Sequence, residues 1–165
     1  MYRQHFGLNQ HPFTNEVDPE DLFPAAAAKE LEVRLAHLLE MRGIGLVTGD
    51  AVIEWMPFLN DGYPEEWVQT LSALEQVDFT HMILGHGEVA SKEHLTFFKG
   101  YLTDLIASVK NAAAGGGTLE EMQKTIPDQL APRYEQRMSK YPLGQYRDRI
   151  GVNMETVYKK VVQKG

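Results

Sequence analysis

The apolar positions follow helical spacing over most of the chain and strand-like runs at three short places. From about Ala25 to Arg42, Leu31, Leu35, Leu38 and Leu39 recur at helical intervals, and Gly43 supplies a stop because glycine takes a left-handed cap conformation without penalty. Ile44 to Thr48 reads as a buried strand and Ala51 to Trp55 as a second short one, with Gly49-Asp50 turning the chain between them. Pro64 suits a first helical position, and after Glu65 and Glu66 the side chains of Trp67, Leu71 and Leu74 share one face. The next strand is Thr80 to Leu84. Ser91 stands where it can cap a long helix whose stripe is Leu95, Phe98, Leu102, Leu105, Ile106 and Val109, ended by Gly115-Gly116-Gly117. Thr118 with Glu121 is a capping-box pair for a short helix that should stop near Pro127, and Asn153 is placed to cap a final helix through Val161. Ahead of all this, residues 1 to 24 scatter Phe6, Phe13 and Phe23 among Gly7, Pro12, Pro19 and Pro24, a pattern for an extended arm packed on its aromatics. The expected class is α+β, mostly helical, with a small sheet from the segments around Ile44, Ala51 and Thr80.

Composition narrows the function classes more than it alters the fold. A chain of 165 residues with 43% hydrophobic and 24% charged residues fits one domain with a packed core. No apolar run approaches the ~20 residues that span a bilayer. Arg3, Gln4 and His5 stand where a signal peptide would develop its apolar stretch, so the expectation is a cytoplasmic protein without a membrane partner. The chain has no cysteine, which leaves His, Asp and Glu as the strong metal ligands. A net charge of -7 opposes the phosphate attraction behind most nucleic-acid affinity, and no nucleic-acid partner is expected.

Two family resemblances divide the chain near Gly49-Asp50. Met1-Tyr2, His5-Phe6-Gly7-Leu8, His11-Pro12-Phe13, Lys29 to Leu35 and Arg42 to Gly49 resemble the opening of the AAA-type ATPases associated with transposition and secretion. That resemblance implies a strand running into a phosphate-binding loop, with glycines and a Lys-Ser/Thr pair converging on the nucleotide. Here the chain continues Ala51-Val52-Ile53-Glu54-Trp55-Met56-Pro57, so neither ATP binding nor ATP hydrolysis is expected. Residues 1–48 then serve as a structural arm, helix and strand.

The second resemblance is carried by Gly49-Asp50-Ala51-Val52, Met56-Pro57-Phe58-Leu59, Gly62-Tyr63-Pro64, Leu84-Gly85-His86-Gly87-Glu88-Val89 and the long helix that follows. Residues 49–165 are similar to the second half of a metallo-β-lactamase-fold hydrolase with a helical extension, so that 1–165 forms a single chimeric domain with a truncated remnant sheet. The resemblance implies that Asp50 bridges two metal ions and His86 binds one of them, the metal being zinc or another divalent ion. A metal so held lowers the pKa of bound water and polarises a carbonyl or phosphoryl oxygen. The histidine-rich motif of the family's first half is absent from this sequence. His81, on a straight strand, points to the opposite face from His86, and His94 lies on the next helix.

Each of these residues has a plainer reading beside the functional one. Asp50 suits a turn, His86 a loop, His5 and His11 local packing, and Glu65-Glu66 a helix terminus. A sandwich cut in half exposes an apolar sheet face and strand edges. The N-terminal helix or a second copy must cover them, and a homo-oligomer, a dimer above all, also gathers four ligands from two copies of Asp50 and His86. Two functions stay open. The missing ligands favour a non-catalytic folded remnant or interaction protein with no assigned catalytic residue. The alternative is a metal-dependent hydrolase of an ester, lactone or phosphoester, its incomplete site completed by oligomerisation.

Overall fold

The computed structural model describes residues 45–141 and 145–163, together with Lys29 and Val33. The chain divides into two compact units, Met1–Val33 and Arg34–Gly165. Lys29 and Val33 are helical and exposed, as the predicted N-terminal helix requires of them. The arm over residues 1–24, the four leucines of that helix, Gly43, Ile44, His5 and His11 lie outside the described residues.

Within the second unit, strand β1 (Gly45–Ile53) and strand β2 (His81–His86) form a parallel pair running from Gly45 opposite His81 to Ile53 opposite His86. Parallel pairing needs a crossover, and helix α1 (Pro64–Leu74) supplies it between the two strands. The turn expected at Gly49-Asp50 does not form, because the chain stays extended through it and β1 is one strand rather than two. The irregularity is taken up as a bulge. Between the Gly49–Leu84 and Ile53–His86 partners β1 advances four residues while β2 advances two, so ladder pairing is interrupted without reversing the chain. On the other side of β2, Met82 and Ala90 exchange both backbone hydrogen bonds at 2.8 and 2.9 Å.

The α1 face follows its sequence pattern, with Leu71 fully buried and Trp67 and Leu74 packed against the core. Trp67 also donates its indole N–H to the carbonyl of Ala51 at 2.8 Å, tying the crossover helix to β1. Helix α2 (Lys92–Ala114) buries the whole expected stripe, together with His94 and Tyr101. Ser91 occupies its N-cap position but makes no side-chain capping bond.

Helix α3 (Leu119–Met138) opens on the expected capping box between Thr118 and Glu121 but does not stop at Pro127; it runs on through Pro127 and Pro132. Met122, Ile126, Leu130, Tyr134 and Met138 recur every fourth residue and are all buried. Burying such side chains contributes about 1.5–3 kcal/mol each, against roughly 3 kcal/mol for each interior proline. The stripe therefore outweighs both prolines.

Helix α4 (Tyr146–Val157) begins well before the expected cap and passes into a π-helical turn at Tyr158–Val162. Asn153 is thus inside the helix, fully buried, rather than at its start. The described residues of the second unit are α+β, mostly helical, with a two-stranded parallel sheet. No helix among them is long and apolar enough to cross a membrane.

Candidate functional site at the Asp50–His86 pair

The bulge in β1 has a chemical consequence. It brings Asp50 alongside His86, the last residue of β2, with Oδ1 of the carboxylate 3.4 Å from Nε2 of the imidazole. Both side chains face solvent, His86 at 55% and Asp50 at 80% exposure. At this separation a direct hydrogen bond is weak. The spacing also equals the donor–donor edge of a tetrahedral zinc site, roughly 3.4 Å for the usual Zn–N and Zn–O bond lengths. The two residues singled out in the sequence are brought together, and they fit half of such a ligand set. No third His, Asp or Glu joins them in a metal-binding group among the described residues.

Behind the pair lies a layer of aromatic and charged groups that sequence reading did not single out. The Trp55 ring stands against the His86 imidazole, 5.2 Å between centroids, and Tyr141 meets Trp55 edge-on at 5.3 Å. Glu54, immediately after β1, ties the layer together. Its amide donates to the His86 carbonyl at 3.0 Å. Its carboxylate accepts from Lys140 at 2.6 Å, from the Tyr141 hydroxyl at 2.8 Å and from the Glu88 amide at 2.9 Å. Glu54 thereby clamps the residues that follow α3 onto the ends of both strands.

Burial pushes the Glu54 carboxyl up, but the bonds from Lys140, the Glu88 amide and Tyr141 together outweigh it and hold the group below its ordinary value of 4.5. A carboxyl lowered in the folded state binds fewer protons there than in the unfolded chain. Its stabilisation is present above pH 4.5 and is lost as pH falls through the folded value. Urea unfolding at pH 7 and pH 3.5 should therefore show Glu54→Gln destabilised relative to wild type at pH 7, with the difference shrinking at pH 3.5. An equal difference at both values would remove the clamp from the acid response.

No protein-family model matches the chain, and no curated protein matches it. A functional reading of Asp50 and His86 therefore stands on their local geometry.

The other two histidines among the described residues divide as their elements dictate. His81, at the start of β2, keeps Nδ1 2.9 Å from the Thr80 hydroxyl, away from the Asp50–His86 pair. It lines a separate cleft of about 390 Å³ with Glu54, Glu88, Ser91, His94 and Arg137. His94 is buried at 6% exposure. Its Nε2 lies 3.1 Å from the Ile53 carbonyl and its Nδ1 lies 3.3 Å from a guanidinium nitrogen of Arg137. The signal for it was in the chain, since His94 falls four residues before Phe98 on the α2 stripe. Glu65 and Glu66 sit in the first turn of α1 as expected, and Glu65 also bridges to Lys110 at 2.6 Å.

Proposed function

We propose that this chain is a non-catalytic folded protein that acts by binding, with its exposed chemistry centred on Asp50 and His86. The commitment of the surrounding polar groups to the fold itself is the observation that carries this reading. Glu54 is engaged by Lys140, Tyr141 and the Glu88 amide, and His94 by a backbone carbonyl and Arg137. A hydrolytic centre needs a general base or metal-bound water held beside a substrate pocket. The Asp50–His86 pair is instead open to solvent, with two donors.

The 3.4 Å tetrahedral edge supports a second reading, in which the pair is half of a divalent-metal site. Two copies related by a two-fold axis would supply two imidazoles and two carboxylates, and the two negative charges would neutralise one divalent ion. Such a dimer is the form in which a metal-dependent hydrolase of esters, lactones or phosphoesters could arise from this chain. Titration with Zn²⁺ and Mn²⁺, followed by sedimentation and by hydrolysis assays on those three substrate classes, separates the two readings. The non-catalytic reading expects turnover no faster than buffer and equal in wild type, Asp50→Asn and His86→Ala. Turnover that needs added metal, accompanies dimer formation at one ion per two chains, and falls at least ~10-fold in both variants would replace it with the metal-site reading.

A further inference from the structure

We propose that His94 is the titrating element of an acid-sensitive latch, which fastens the C-terminal end of α3 to the end of β1. The inference is independent of whether Asp50 and His86 bind a metal. A guanidinium has only donors and a carbonyl only accepts. The contacts to Arg137 and to the Ile53 carbonyl therefore assign a neutral ring, with the proton on Nε2 and the lone pair of Nδ1 facing Arg137. A second proton would turn Nδ1 into a donor aimed at a donor. It would also set one cation 3.3 Å from another at a position with 6% exposure.

The charges facing His94 come from every element around it. Arg137 approaches from α3, Glu93 is its neighbour on α2, Glu54 follows β1, and His81 and Glu88 line the same cleft from β2 and the turn after it. Glu93 is paired with Arg137 at 3.1 Å and is 83% exposed, and Glu54 is engaged by Lys140. Both carboxylates thus already answer another cation. Burial, with the Arg137 charge adding to it, holds the His94 ring below its ordinary value of 6.5, although its bond to the Ile53 carbonyl and the charges of Glu54 and Glu93 act the other way.

The surroundings let this strain be relieved locally. The cleft of about 390 Å³ opens beside both His94 and Arg137. Arg137 is 39% exposed, so its guanidinium can swing outward, giving up its stack on Phe97 at 4.2 Å. Upstream, α3 stays anchored by Met122, Ile126, Leu130 and Tyr134, and by the bridges from Arg147 to Asp128 and Glu135 at 2.5 and 2.7 Å. What loosens is the Arg137 contact and the stretch that follows Met138, where Lys140 and Tyr141 lie, while Met138 itself stays in the core. Both residues grip Glu54, and Tyr141 packs on Trp55 beside His86. Acid thus uncovers the layer behind the Asp50–His86 pair while the helical core persists.

Sign follows from the tautomer. The latch is closed above pH 6.5, and it weakens as pH falls below that value because the open state takes up the proton more readily. Amide hydrogen exchange at pH 7.5 and 5.5, corrected for intrinsic rates, tests it directly. Amides of residues 139–141 should lose protection by up to about tenfold, the limit for one proton over one pH unit below the ordinary imidazole value. Peptides covering residues 102–109 should not change. His94→Gln, whose amide can still donate to the Ile53 carbonyl and accept from Arg137 without titrating, should abolish the response. Arg137→Gln should diminish it by removing the opposing charge. His81→Gln and His86→Gln should keep the wild-type response. Unchanged protection in the wild type, equal loss in the 102–109 peptides, a response transferred to His81 or His86, or a full response in His94→Gln would each overturn the latch. If His94→Gln fails to fold, Arg137→Gln decides alone, and a full response there overturns the proposal.

Discussion

Replacing Asn153 by alanine is expected to destabilise the protein by on the order of 4 kcal/mol, the combined cost of stranding several buried polar groups at about 1–3 kcal/mol each. The fully buried Asn153 side chain accepts from the Leu59 amide at 3.1 Å and donates to the Pro57 carbonyl at 2.9 Å and to the Tyr101 hydroxyl at 3.2 Å. One residue of α4 thus satisfies two backbone groups of the loop between β1 and α1 and holds that loop against α2. The loss is a large part of the about 5–15 kcal/mol that a domain has in total. In urea the unfolding midpoint should fall sharply with an unchanged slope. Thr156→Ala is the companion. Its hydroxyl reaches Asn60 on the same loop at 2.7 Å from a less enclosed position, and it should cost roughly 1 kcal/mol. Near-equal losses in the two variants would deny Asn153 its anchoring role.

The second large effect is expected at Gly87, in the Gly-His-Gly segment. Its φ is +115°, a conformation that side-chain-bearing residues rarely adopt. A Cβ placed there would lie 2.4 Å from the Cβ of Glu54 and 2.6 Å from its Oε2. The near end of Glu54 cannot move aside without displacing the end of β1. Moving its carboxylate breaks the bonds from Lys140, Tyr141 and the Glu88 amide. Gly87→Ala should therefore cost about 3–5 kcal/mol, of which roughly 1–3 is backbone strain. Gly116→Ala isolates the difference, because Gly116 also has a positive φ, +80°, yet nothing lies within 4 Å of a Cβ added there. It should lose only the roughly 1–2 kcal/mol of left-handed backbone strain. Thermal unfolding of the two variants side by side checks the prediction, and equal losses would show that the Glu54 contact contributes nothing. The glycine after His86 is thus required by the packing of Glu54, whatever His86 binds.

Local chemistry determined much of this protein. The α2 stripe, Pro64 at the head of α1, the Thr118–Glu121 box and the mostly helical α+β class all depend on residues within a turn or two of one another, and their patterns are complete in the chain. Asp50 and His86 were also named there, through resemblance, but their separation was not. A bulge in β1, set by pairing with a strand that follows a whole helix later, brings them to 3.4 Å. The same kind of distant partner explains each departure. Pro127 and Pro132 are tolerated because a buried stripe outweighs two missing amides. Asn153 suits a cap by its sequence position because polar residues usually serve helix ends, yet its partners lie at Pro57, Leu59 and Tyr101. His94 has no ligand spacing in the sequence, and only folding joins it to Ile53 and Arg137. Hydrophobic periodicity records which face of an element turns inward. It carries no record of which polar group waits there, because that partner's position is decided by tertiary packing of segments far apart in the chain.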